Sequence, residues 1–414
     1  VTGNVANNGS TDDTRPVISG TGTAGDTIFV YDKDATGNHQ VGSAIVDASG
    51  HWSLTPTAPL ISGVNELTAV ERDPAGNTTA PSAKYSFTVV TVGPAVPTIE
   101  SVFDDVGPYT GFLQKGDVTD DSQPTFKGTS DAGTTVKLYD GSTLIGSAVT
   151  DANGSWSITT SALADGLHNV TATATDPIGQ VSAPTGIWNF SVDTTAPANV
   201  TGLAVTDNVG AVTGPLHAGD TTDDNRPVFS GGAEPNGKVI IYDNGKEIGE
   251  ADVGADGKWS FTPTAALSDG NHAFSTEVLD KAGNSSGQSA PLNVVVDTSQ
   301  VLVAITHVID DVGSITGDIS NGGFTDDTRP EIQGTGKAGS VVTISDGNTV
   351  LGSLTVDASE KWSFTPPFDL GQGAHSITAK ATDKAGNVSD PTTAFTFTID
   401  TVAPEKPTID QVLD

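Results

Sequence analysis

The side chains with the most chemical potential in this sequence are carboxylates, and they recur in register. Thr11-Asp12-Asp13, Thr119-Asp120-Asp121, Thr222-Asp223-Asp224 and Thr325-Asp326-Asp327 each lead into a proline, at 16, 124, 227 and 330. Further acidic positions open the phrases Asp104-Asp105-Val-Gly107, Asp207-Asn208-Val-Gly210 and Asp310-Asp311-Val-Gly313. A third set begins the turns Asp73-Pro-Ala-Gly-Asn77, Asp176-Pro-Ile-Gly-Gln180, Asp280-Lys-Ala-Gly-Asn284 and Asp383-Lys-Ala-Gly-Asn387. A fourth set, Asp193-Thr194, Asp297-Thr298 and Asp400-Thr401, closes a β-rich run. Hard oxygen donors from several loops, with no cysteine and no consistent histidine beside them, suit Ca²⁺, which accepts six to eight oxygens in flexible geometry; Mg²⁺ fits less well. For any single carboxylate the plainer reading is a solvated surface or the cap of a turn. Repetition in register, and acidic residues side by side, go beyond what a solvated face requires.

The balance of charge limits the partners. The chain carries 51 acidic and 18 basic side chains, a formal net charge of −33. That field repels nucleic-acid phosphates and anionic membrane surfaces, so neither nucleic acid nor membrane insertion is expected. No apolar stretch is long enough to span a bilayer as a helix. With no cysteine there is neither a disulfide framework nor a thiolate nucleophile. The sequence also lacks methionine, even at residue 1, which is expected of a segment cut from a longer chain.

Behind the carboxylates lies a repeat of about 103 residues, marked by Trp52, Trp156, Trp259 and Trp362. Solenoid repeats are usually 20–50 residues, so this period predicts tandem domains of roughly the size of an immunoglobulin-type sandwich. In the second copy, short runs of alternating apolar and polar residues between Gly and Asp punctuation predict seven antiparallel strands, the first over 98–103. Asn153-Gly154 predicts a hairpin between the strands on either side of it. The strand after it reads Ser-Trp156-Ser-Ile158, with Trp and Ile on one face. That face is expected to be core, not a platform for sugar rings. No segment has helical periodicity. By strand counting, one end of each sandwich collects the Thr-Asp-Asp loop and the last-strand exit, and the other collects the turns at Asp131, Asp151 and Asp176.

The predicted organisation is domain 1 over 1–93, lacking its first strand, and domains 2, 3 and 4 over 94–197, 198–301 and 302–403. Residues 404–414 repeat Pro97–Asp104 and are expected to be the first strand of a following repeat. The junctions are short and lack Gly/Ser composition, which favours domains set end to end as a rod.

The joint occurrence of Thr-Asp-Asp-x-x-Pro, Asp-Ala-x-Gly-x-Trp-Ser, Ala-Thr-Asp-x-Ala-Gly-Asn and Val-Asp-Thr-x-Ala-Pro resembles the bacterial immunoglobulin-like (BIg) repeats of giant type-I-secreted adhesins. Members include the giant non-fimbrial adhesin of Salmonella and the large biofilm-associated proteins. The resemblance implies an all-β array of tandem immunoglobulin-like β-sandwiches, monomeric, secreted or held at the bacterial surface. It implies a non-catalytic stalk whose junctions bind Ca²⁺ and stiffen, while other parts of the full-length protein touch host cells, glycans or biofilm. Copy one departs from the pattern, with Val90-Thr91-Val92-Gly93 in place of Asp-Thr-x-Ala, so its junction with copy two is the exception expected for calcium.

Other motifs carry less. Gly20-Thr-Gly22-Thr-Ala-Gly25 and Gly334-Thr-Gly336-Lys-Ala-Gly339 fit a dinucleotide fingerprint, but each precedes a strand and so lacks a helix N-terminus for a pyrophosphate. An insertion in copy one, Asp32-Lys-Asp34-Ala-Thr36-Gly37, echoes the start of an EF-hand loop but has Thr36 and Ser43 where oxygen-rich ligands belong. His168, His272 and His375, one per copy, read as structural. The function class opposed to a stalk is a spacer or glycan-binding module of a secreted polysaccharide-active enzyme.

Overall fold

In the computed structural model, which describes residues 3–411, every regular element among the described residues is a β-strand. The chain is all-β and divides into two compact units: Val1–Thr195 with Ala282–Asn284, and Ala196–Lys281 with Ser285–Asp414. Each unit carries two copies of one sandwich.

The second copy shows the plan. One sheet runs in the order Ser155–Thr159, Thr125–Thr129, Ser101–Asp104, Gly111–Leu113. The facing sheet runs Val118–Thr119, Trp188–Val192, Gly166–Thr175, Thr135–Asp140, Thr143–Val149. Phe126, Leu138, Trp156, Val170 and Phe190 fill the space between them, each at most 4% exposed. The alternation along Gly166–Thr175, where His168, Val170, Ala172 and Ala174 point inward, follows from the two-residue period of a strand.

Two short strands, Gly111–Leu113 and Val118–Thr119, add to the seven that patterning predicts. Val118–Thr119 pairs in parallel with Ser191–Val192, so the Thr-Asp-Asp loop starts from a sheet edge. The hairpin expected at Asn153-Gly154 is not there. Thr143–Val149 belongs to one sheet and Ser155–Thr159 to the other, so this turn carries the chain across the sandwich. The hairpin lies one turn earlier, at Gly141-Ser142, joining Thr135–Asp140 to Thr143–Val149. A tight turn signal specifies that the chain reverses; which sheet receives it depends on where each apolar face is buried.

The four repeat tryptophans, Trp52, Trp156, Trp259 and Trp362, are core residues, 4–8% exposed, and the fifth, Trp188, is half-buried. Each of the four lies over a glycine on the neighbouring strand, Gly20, Gly128, Gly231 or Gly334. At Gly334 a Cβ would overlap both the Trp362 indole and the Ala304 carbonyl. Copies three and four repeat the four-plus-five arrangement. Copy one has the five-stranded sheet, but its second sheet is reduced to Ile18–Thr21 and His51–Leu54. Residues 401–411 form no strand, having no described sandwich to pair with, and 412–414 lie outside the described residues.

Candidate cation sites at the domain ends

At one end of each complete copy, the Thr-Asp-Asp turn and the Asp-x-Val-Gly turn close on each other. Thr119 Oγ1 donates to Asp104 Oδ2 (2.5 Å) and accepts from Asp121 N (3.0 Å), while Asp104 Oδ1 accepts from Val106 N (2.9 Å). Thr222 with Asp207 and Asp224 repeats this arrangement, as does Thr325 with Asp310 and Asp327. The first aspartate of each pair, Asp120, Asp223 or Asp326, tucks against a glycine in left-handed conformation, Gly107 (φ 66°), Gly210 (φ 70°) or Gly313 (φ 75°), where a Cβ would overlap its Oδ2. That contact explains why both motifs recur together. Asp13 of copy one caps its own turn through Arg15 N (2.7 Å), next to an exposed Asp12.

The last-strand exits join the same end, as strand counting requires. Asp193 N donates to Thr119 O, Asp297 N to Thr222 O and Asp400 N to Thr325 O, each at 2.9 Å. In copy one Val90 N donates to Thr11 O (2.8 Å). The opposite end gathers Asp131, Asp151 and Asp176, with Ser130 N bonded to Gly154 O (2.9 Å) and Gly133 N to Thr150 O (3.1 Å).

Several carboxylate oxygens at the Thr-Asp-Asp end are buried without a donor. Asp121 Oδ2, Asp223 Oδ1 and Asp327 Oδ2 have no hydrogen-bond partner. Burial, and then the nearby Asp104 and Asp105 charges, push the Asp121 carboxyl above its ordinary range. Asp223 is pushed up by burial first and then by Asp207, Asp383 and Asp224. Crowded, desolvated carboxylates of this kind are stabilised by a cation. Asp105 and Asp311 are exposed beside them. Among the described residues, no three acidic or histidine side chains form a metal cage by themselves. A cation held at these ends would need backbone carbonyls or water among its ligands beside the carboxylates.

The turn aspartates at the other end have prior commitments. Asp176 Oδ1 accepts from Ile178 N (3.0 Å) and Gln180 N (2.8 Å), and Asp383 Oδ1 accepts from Ala385 N and Asn387 N, both at 3.0 Å. Asp280 is 3% exposed in the equivalent turn. The amide that ends each turn reaches the strand exit of the preceding copy: Gln180 Nε2 donates to Val90 O (2.7 Å), Asn284 Nδ2 to Asp193 O (2.7 Å) and Asn387 Nδ2 to Asp297 O (2.6 Å). Sequence reasoning missed this role, although an Asn or Gln at one fixed place in every such turn is its signal. Asp400, at the last exit, is exposed and accepts only from Val402 N among the bonds resolved at its side chain.

The histidines are structural, through an interaction the sequence reading also missed. His168, His272 and His375 Nδ1 each lie 2.8 Å from Asp140, Asp243 and Asp346 Oδ2, while their Nε2 faces a backbone carbonyl. Each ring packs on a core phenylalanine, Phe190, Phe274 or Phe397. The copy-one insertion forms a hairpin, Thr27–Asp34 to Gly37–Ile45, in which Asp34 Oδ1 caps the turn through Thr36 N (2.7 Å). The glycine-rich fingerprints lead into strands, as expected.

Four stretches, 1–91, 97–194, 199–298 and 302–401, match a family model described as bacterial Ig-like domain. A curated relative, exoglucanase B of Cellulomonas fimi, is 30% identical over 227 residues, covering 52% of this chain and 18% of that protein. The chain thus spans less than a fifth of the length of the relative it matches. Among solved structures, a tetra-tandem repeat from the extending region of a large adhesion protein is 20% identical over 95% of this chain and 98% of that one, with a TM-score of 0.34. The BSP domain of a biofilm-associated protein is 13% identical over 97% of this chain and 99% of that one, with a TM-score of 0.19.

Proposed function

The chain belongs to the bacterial Ig-like domain family, and from that premise we propose that it is a calcium-responsive spacer within a secreted or surface-attached bacterial adhesin. Its repeats set a binding tip of the longer protein away from the cell, toward a host surface or biofilm. The observation that carries the calcium reading is the set of buried, donorless carboxylate oxygens on Asp121, Asp223 and Asp327. Asp104, Asp207 and Asp310, oriented by the threonine hydroxyls, stand beside them as further ligands, with Asp105 and Asp311 on the solvent side. Bound Ca²⁺ supplies the positive charge that this crowding calls for. The repeats carry no catalytic constellation: the charged groups recur copy by copy, whereas active sites are few per protein.

An extracellular-type site with a dissociation constant of roughly 10⁻⁴–10⁻³ M stabilises its bound form by about 0.4–1.4 kcal/mol in millimolar calcium. Such a site is a conditional brace: empty where calcium is scarce, filled outside the cell. Calorimetry on the 414-residue chain is expected to show millimolar-range calcium uptake that falls on Asp121→Asn and Asp223→Asn. Small-angle scattering is expected to report a longer particle in calcium than in chelator. Absence of uptake removes the calcium reading.

A second reading, a spacer module in a polysaccharide-active enzyme, draws on the partial likeness to the exoglucanase. The buried tryptophans supply no sugar-stacking face, so this reading predicts a neighbouring catalytic domain and not glycan binding by these repeats. Sequencing the encoding locus through both ends distinguishes the two.

A further inference from the structure

Within the second unit, one joint carries its own cation. Asp297 leaves the strand Leu292–Val296 of the third copy, while Lys337 and Asp383 lie in two turns at the near end of the fourth. Lys337 Nζ stands 2.8 Å from Asp297 Oδ2 and 2.8 Å from Asp383 Oδ2, bridging the two copies. The Asp383 side chain is only 3% exposed and Lys337 43%. A solvent-exposed pair alone contributes little; here, however, removing the ammonium strands a buried carboxylate facing a second one. Around this bridge the backbones interlock. Asn387 Nδ2 donates to Asp297 O, Asp223 N to Ala385 O (3.0 Å) and Ala211 N to Gly386 O (3.3 Å).

The same place in the other copies, seven residues after the proline of the Thr-Asp-Asp phrase, is Thr23, Asp131 or Glu234. Only the fourth copy has a base there. We propose that Lys337 is a tethered cation that closes the joint between the third and fourth copies without metal, by neutralising Asp297 and Asp383 together. This goes beyond the calcium reading and does not depend on it: the array contains a joint that is set before the chain meets calcium.

The absence of cysteine from the sequence makes the test clean. In the full chain, Thr264→Cys in the third copy and Thr355→Cys in the fourth, both exposed positions, carry spin labels whose separation is read by electron–electron double resonance in excess chelator. The parent is expected to give one narrow distance peak, retained in Lys337→Arg and lost to a broad distribution in Lys337→Gln. Asp297→Asn, on the other side of the joint, is expected to broaden the peak in the same way, which separates loss of the bridge from damage to the fourth domain. A Lys337→Gln peak as narrow as the parent's, or a parent already broad in chelator, overturns the proposal. Calcium plays no part in this measurement, so failure of the calcium reading is detected separately, by calorimetry.

Discussion

The first copy and the fourth are built from the same phrases, yet they differ in three places. Among the described residues the first has no counterpart of the strands Val303–Asp310 and Gly317–Asp318, so its second sheet has two strands against the fourth copy's four. Its exit residue is Val90, where the third copy presents Asp297 to the fourth. Its buried pair has changed too: Asn65 stands where the other copies place a histidine. What is common to the joints after copies one and three is an amide-to-carbonyl clasp, Gln180 to Val90 O and Asn387 to Asp297 O. What varies is the charge laid over it. In the first joint Asp131 Oδ2 accepts from Ala95 N (2.9 Å); in the later one Lys337 joins two carboxylates. The neutral clasp is shared by the two joints, and the charge beside it differs between them.

The largest expected contrast concerns the glycines beneath the tryptophans. At Gly334 a Cβ meets both the indole and the Ala304 carbonyl of the flanking strand, whereas at Gly20 its three nearest atoms all belong to the Trp52 ring. Gly334→Ala is expected to destabilise its domain by about 4 kcal/mol and Gly20→Ala by about 2 kcal/mol, because the shorter sheet can shift. Chemical denaturation of each variant, followed by hydrogen exchange in the two domains, reads the difference. Equal losses would show that the missing strand gives no slack.

Next is charge reversal at the joints. Lys337→Glu sets three carboxylates together and is expected to weaken the joint by about 3 kcal/mol in chelator, with recovery in calcium. Asp131→Lys at the first joint, which has no carboxylate at its exit, forfeits the bond from Ala95 N and is expected to cost only about 1 kcal/mol. Spin-label distances across each joint, with and without calcium, check both outcomes.

Acid–base behaviour distinguishes the copies as well. In the second copy histidine supports the partner aspartate: burial raises Asp140, but hydrogen bonds from His168 and Asn169 outweigh it and leave the group low. In the first copy Asp32 is 1% exposed and its Oδ1 has no partner, while Asn65 spends its amide N–H groups on Ile61 O and Gly63 O. Burial, then Asp34, pushes Asp32 up to about 6. The folded state therefore binds the proton more tightly than the unfolded chain. Asp32 by itself contributes stability to the first domain that is fully present below about pH 4 and lost, by about 2 kcal/mol, as pH rises through 6. Hydrogen exchange of residues 27–45 across this range measures the slope, which Asp32→Asn should abolish. For Asp140 the sign is opposite: its contribution is present above the ordinary carboxylate range and fades in stronger acid.

The smallest effect is expected at the clasp. Gln180→Ala and Asn387→Ala each remove one amide-to-carbonyl hydrogen bond and should weaken their joints by about 1 kcal/mol. Similar broadening of the spin-label distances at both joints supports a shared clasp; a response at one joint alone would break the comparison.

How much of this was legible beforehand follows from range. Alternation, Gly and Asp punctuation and the recurring Trp act over a few residues, and they specified the strands, the all-β class, the buried tryptophans and the two clusters of loops. The Asn153-Gly154 turn was misassigned because turn chemistry reverses a chain without naming the sheet it enters. The clasp amides and the His–Asp pairs stayed hidden because their partners lie 28 to 91 residues away. Likewise, nothing local marks Lys337 as different from any exposed lysine.

Sequence alone determined that this chain is a repeat array of sandwiches with acid gathered at the domain ends, because periodicity and composition are properties of the chain itself. Only the tertiary structure decided which carboxylates are buried without a donor, which cap turns, and which are answered by an ammonium. Those outcomes depend on desolvation and on contacts a few ångströms long between residues far apart in the chain, within a copy or between copies, and no local pattern encodes such distances.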